Sequence, residues 1–162
     1  MLKRLIGTGV LLGLATAAVF AVGGKNVEYV GGTIAGVAEK SEGVFDTSSD
    51  ATLIFRSKKS PDVQIAYASV TEIEYGQKAG RRVGMAIVVS PLALFSKKRN
   101  HFLTISYMGA DGKEQAGVFE LGKDIVRTTL KIMEVRTGKE LKFQDAEACK
   151  QYKTPKECEA GK

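Results

Sequence analysis

The sequence predicts an α+β fold in which an antiparallel sheet is followed by one amphipathic helix. Three features carry that reading. Two pairs of alternating apolar segments are each joined by a turn, at Ser48-Ser49-Asp50 and at Asp111-Gly112. A third alternating run fills Gln64 to Tyr75. A helical spacing of apolar residues appears only afterwards, from Ile125 to Met133. Strands in succession with a terminal helix give a sheet that must bury one face under that helix.

Before the sheet comes a leader. Met1-Leu2-Lys3-Arg4 is a short basic head, and Leu5 to Gly24 contains no charged residue. Such a stretch has no wet face and belongs in or through a membrane. Two outcomes are open: a cleaved signal peptide, with small residues around Ala15-Thr16-Ala17 or Val19-Phe20-Ala21, or an uncleaved anchor spanning residues 5–24. Lys3 and Arg4 retain the N-terminus in the cytoplasm. Everything after Lys25 is then exported across the inner membrane, to a periplasmic or extracellular place. The expected organisation is residues 1–24 as signal peptide or anchor, 25–140 as the folded domain, and 141–162 as a polar tail.

Along the domain, Val27 to Ile34 reads as a first strand or a spacer. Val44 to Thr47 and Ala51 to Phe55 flank polar turn residues and read as a hairpin. Lys58, Lys59 and Pro61 end it. In Gln64 to Tyr75, Ile65, Tyr67, Ser69, Thr71, Ile73 and Tyr75 share one face, giving one long strand or a strand bent near Ala68. Phe102 to Met108 and Gln115 to Leu121 make the second hairpin. The helix has Asp124 as a first-turn anion, Arg136 as a last-turn cation and Gly138 as its stop.

The net charge of the 162 residues is +6, and it is regional. Between Tyr75 and Ala110 there is no acidic residue, while Lys78, Arg81, Arg82, Lys97, Lys98 and Arg99 supply six cations. These bracket an almost wholly apolar run, Val83 to Phe95, whose thirteen residues are too few to cross a bilayer as a helix. Two readings remain open for the run: an interfacial loop whose flanking cations meet anionic headgroups, or a buried strand with a helical turn. The partner expected is an anionic lipid surface or a protein; export argues against nucleic acid, and a homo-oligomer is left open.

Cys149 and Cys158 are the only cysteines. An even pair in an exported chain reads as a small disulfide loop, and their spacing completes neither a tetrahedral metal shell nor a two-residue redox motif. No metal and no cofactor is expected. His101, the sole histidine, has no nucleophile motif around it and is read as a strand-edge residue. Glu72 and Glu74 share a strand face but lack a companion acid and are read as solvated. No catalytic residue is assigned, and the chain is read as a non-enzyme. The alternatives carried are a small hydrolase-like envelope enzyme using Glu72, Glu74 or His101, and a purely structural envelope protein.

The run from Gln64 to Tyr75, with its apolar-x-Tyr-x-x-apolar pattern before an apolar-Glu pair, resembles the strand motif of bacterial pleckstrin-homology-like and GRAM-like domains. The flanking hairpins and the closing helix follow in the order such domains use, over roughly residues 27–140. The resemblance implies a strongly bent antiparallel sheet or split β-barrel capped at one end by the C-terminal helix. It also implies a non-catalytic binding or scaffolding module, since members bind phosphoinositides, other lipids or peptides. The basic pattern that the family carries on its first hairpin is absent from Val44 to Phe55. That departure argues against phosphoinositide recognition at the usual place.

Overall fold

The computed structural model describes residues 27–77 and 100–160. Eight strands form one sheet: β1 (Val27–Gly32), β2 (Ser41–Asp46), β3 (Thr52–Ser57), β4 (Val63–Ala66), β5 (Val70–Gly76), β6 (His101–Met108), β7 (Glu114–Leu121) and β8 (Leu141–Phe143). Three helices follow the hairpins: α1 (Val126–Thr137), α2 (Ala146–Tyr152) and α3 (Pro155–Ala160). The strand order is β4-β3-β2-β1-β7-β6-β5-β8, antiparallel throughout except for the parallel β5–β8 pair.

That order fixes the shape. β4 is one edge and β5 lies beside the other, yet only the 3-10 turn Tyr67–Ser69 separates them in the chain. Three residues bridge the two ends only if the sheet curls back on itself. The expected α+β fold with a strongly curled sheet is therefore what the chain adopts, as a split barrel whose two ends meet without pairing.

The turn also explains a difference from the sequence pattern. A continuous strand would bury Thr71 and expose Val70. Instead Val70 is buried and Thr71 exposed, because the 3-10 turn and a bulge between Val70 and Glu72 shift the side-chain phase. What reads as one strand is two, split where the bend near Ala68 was the open alternative.

Inside the barrel, Phe45, Phe55, Phe119 and Tyr29 pack edge-on or tilted, with centroids 5.0 to 6.0 Å apart. One face of α1 closes this core with Val126, Thr129, Leu130 and Met133, the i, i+3, i+4, i+7 spacing of a buried stripe. Gly138 ends the helix at φ 64°, returning its amide to the Glu134 carbonyl. Asp124 precedes the helix and does not enter its first turn: Ile125 is the N-cap residue. β1 stops at Gly32 (φ 146°), where a Cβ would lie 2.2 Å from the Ala116 carbonyl of β7.

The segment expected to be a polar tail is structured. Leu141–Phe143 extends the sheet through its pairing with β5, and α2 and α3 fold back beside it. Leu141 and Ala148 join the hydrophobic core. Among the described residues no helix is long and apolar enough to cross a membrane. Residues 1–24, expected to be leader or anchor, lie outside those described.

Candidate functional site

A cleft of about 630 Å³ lies at the β8 end of the sheet. Its floor is Glu140, Leu141, Lys142 and Phe143, four consecutive residues. On a strand face only alternate residues point into a cleft, so a run of four marks the strand's free edge. Glu72 and Glu74 of β5 also line it. Asp145, Cys149, Lys153, Glu157 and Cys158 from the α2–α3 region form a further wall.

Local chemistry sets that wall. Asp145 accepts the Ala148 amide at 2.8 Å and so caps α2. Glu157 accepts both the amide (2.8 Å) and the hydroxyl (2.6 Å) of Thr154, which hold its carboxyl below the usual range. The Cys149–Cys158 disulfide, with Cα atoms 5.9 Å apart, ties α3 to α2 as the even cysteine pair implied. Tyr152 anchors α2 to α1 by donating to Glu134 Oε2 at 2.8 Å. Burial and that bond push its phenol up to about 12.

Five carboxylates therefore face two lysines in the cleft, on a chain of net charge +6. Both lysines are engaged. Lys142 bonds Glu72, which raises the lysine's pKa, and Glu74 adds to the attraction. Lys153 Nζ lies 5.4 Å from the centre of the Phe143 ring. Glu72 and Glu74, expected to be simply solvated, are half-buried in this setting. Their partner Lys142 sits 70 residues from Glu72, on a three-residue strand with no periodicity to reveal it.

His101 opens β6, and its Nδ1 is 2.6 Å from the Tyr75 hydroxyl, the two rings stacked at 12°. Burial lowers the imidazole's pKa, and the positive Lys123 lowers it further. Burial also raises the Tyr75 phenol. Both directions favour a neutral ring hydrogen-bonded to a protonated phenol, the donor being set by the imidazole tautomer. His101 shares the core-facing parity of Leu103 and Ile105, whereas Glu72 and Glu74 project from the other side of the sheet. The three residues weighed for a hydrolase do not converge on one pocket.

The six cations of the sequence reading, Lys78, Arg81, Arg82, Lys97, Lys98 and Arg99, lie outside the described residues, as does Val83 to Phe95. Their attachment points are described. β5 and β6 are paired up to Gly76 and Phe102, so the chain leaves and re-enters the sheet at one place. Among the described residues no three His, Cys, Asp or Glu side chains are grouped to hold a metal. No family model matches the chain, and no curated protein matches it.

Proposed function

We propose that this protein is a non-catalytic binding module of the cell envelope, of the pleckstrin-homology-like kind. In this reading it meets an anionic lipid surface through Lys78, Arg81, Arg82, Lys97, Lys98 and Arg99. The observation that carries the reading is the Gly76–Phe102 pairing. It brings the two attachment points of the 78–99 segment to one place on the barrel, and the sequence of that segment carries six cations and no carboxylate. Each cation near an anionic surface contributes about 1 kcal/mol, fading beyond a Debye length. The disulfide supports export, because such bonds persist in oxidising compartments.

The test is sedimentation of the full chain with neutral and with anionic phospholipid vesicles, so that any contribution of residues 5–24 is common to both. The wild type should prefer anionic vesicles and lose that preference between about 0.05 and about 0.5 M salt. Reversing Arg81, Arg82, Lys97, Lys98 and Arg99 to Glu should weaken the preference at least about tenfold. A preference that survives both salt and charge reversal removes the lipid reading.

A further inference from the structure

We propose that the free edge of β8 receives an extended peptide rich in lysine or arginine, which joins the sheet as a ninth strand. Among the described residues β8 is the last strand of the sheet, paired only with β5. Gln144, just after it, donates its amide to the Tyr75 carbonyl at 3.0 Å. Backbone groups alternate along a strand, so Leu141 and Phe143 turn their amides and carbonyls away from β5 and into the cleft. A peptide laid there finds main-chain partners over about three residues, at about 3.3 Å each.

The cleft also selects charge. Successive side chains of an added strand point to opposite sides. The cleft they enter is lined by five carboxylates, Glu72, Glu74, Glu140, Asp145 and Glu157. The two lysines present are held by Glu72 and by the Phe143 ring. Cationic peptide side chains are thus favoured, and acidic ones are repelled. The volume, about 630 Å³, lies within the range of sites that bury a small ligand. The disulfide fixes the far wall, so the site is formed before the peptide arrives.

The experiment is fluorescence anisotropy of a labelled alternating Lys-Val pentapeptide against the full chain, with hydrogen exchange read at Leu141 and Phe143. The peptide should bind and slow exchange of both amides. Methylating its alternate backbone nitrogens should raise Kd at least about tenfold, since each methyl removes a main-chain donor. Glu140→Lys combined with Glu74→Gln should raise Kd about tenfold at low salt without weakening binding to anionic vesicles. The proposal is overturned if the peptide does not bind, or if a Glu-Val or N-methylated peptide binds equally well. It is also overturned if binding appears only after Lys78, Arg81, Arg82, Lys97, Lys98 and Arg99 are changed to Gln, which would assign the cleft to the chain's own basic segment.

Discussion

The two ends of the sheet are finished by different means. At the β4 end, Arg136 of α1 reaches across to the β2–β3 turn. Its Nη1 donates to the carbonyls of Thr47 (2.6 Å) and Ser49 (3.0 Å) and to the Tyr67 hydroxyl (3.2 Å), while Nη2 meets Asp50 at 2.7 Å. The guanidinium also lies 5.4 Å from the Tyr67 ring centre. One side chain thus binds the helix, the turn and the 3-10 segment that links β4 to β5. The β8 end instead has a three-residue strand, two short helices and a disulfide. Where the seam must stay shut, directional bonds from a half-buried cation seal it. The other end is held by a covalent tie that leaves a strand edge facing a cleft.

The largest effect should come from removing the seal. Arg136→Ala strips donors from two turn carbonyls and from Tyr67, and should cost about 3 kcal/mol in urea unfolding. The ion pair with Asp50 contributes little of this, because Asp50 is 93% exposed. Lysine at this position should recover only part of the loss, since an ammonium cannot spread a planar fork over three acceptors. An unchanged unfolding midpoint in Arg136→Ala would show that packing alone closes the barrel.

Opening the disulfide should have a smaller and more local effect. The bond closes a loop with a sequence separation of nine, for which loop-closure entropy gives at most about 2 to 3 kcal/mol. In the Cys149→Ser, Cys158→Ser double variant, amide exchange should accelerate from Lys153 through α3. β6 and β7 should stay protected, because the buried Ala148 and the Tyr152–Glu134 bond anchor α2 independently of α3. Equal acceleration in β6 would mean that the tie supports the whole barrel.

The same contrast governs how much was legible in the sequence. Both hairpins follow from alternation and turn residues. α1 and its stop follow from the spacing of Val126, Leu130 and Met133 and from Gly138. The division of the Gln64–Tyr75 run was only half visible: the 3-10 turn turns Val70 in and Thr71 out, and the bulge restores the phase at Ile73 and Tyr75, so the alternation looks unbroken. β8, α2 and α3 are three, seven and six residues long, too short for periodicity to register. Arg136 could be seen as a last-turn cation, but its bonds to Thr47 and Ser49 span 89 and 87 positions and depend on the curl of the sheet. The cleft escaped for the same reason, since its walls come from β5 and from residues 140–158. The dense charges after Lys139, which suggested solvation, were the available signal.

The smallest effect concerns His101, beside the point where the chain enters and leaves the β5–β6 ladder. Its folded pKa lies below the usual 6.5 because burial, and then Lys123, disfavour the imidazolium. The unfolded chain therefore takes up a proton first as pH falls. His101 contributes full stability above about 6.5 and loses it progressively down to its folded pKa. Glu120 acts with the opposite sign: burial raises its carboxyl, so its contribution is present at low pH and is lost as pH rises through the folded value. Asp46, held at about 2 chiefly by Ser48 and then Arg56, loses its contribution only between about 3.8 and about 2. Wild type and His101→Gln share Glu120 and Asp46, so their difference isolates the imidazole. The glutamine carbonyl can still accept from Tyr75 but does not titrate. The urea midpoint of wild type should therefore fall further than that of His101→Gln between pH 7.5 and pH 5. Parallel curves would mean that burial and Lys123 do not disfavour the charged ring.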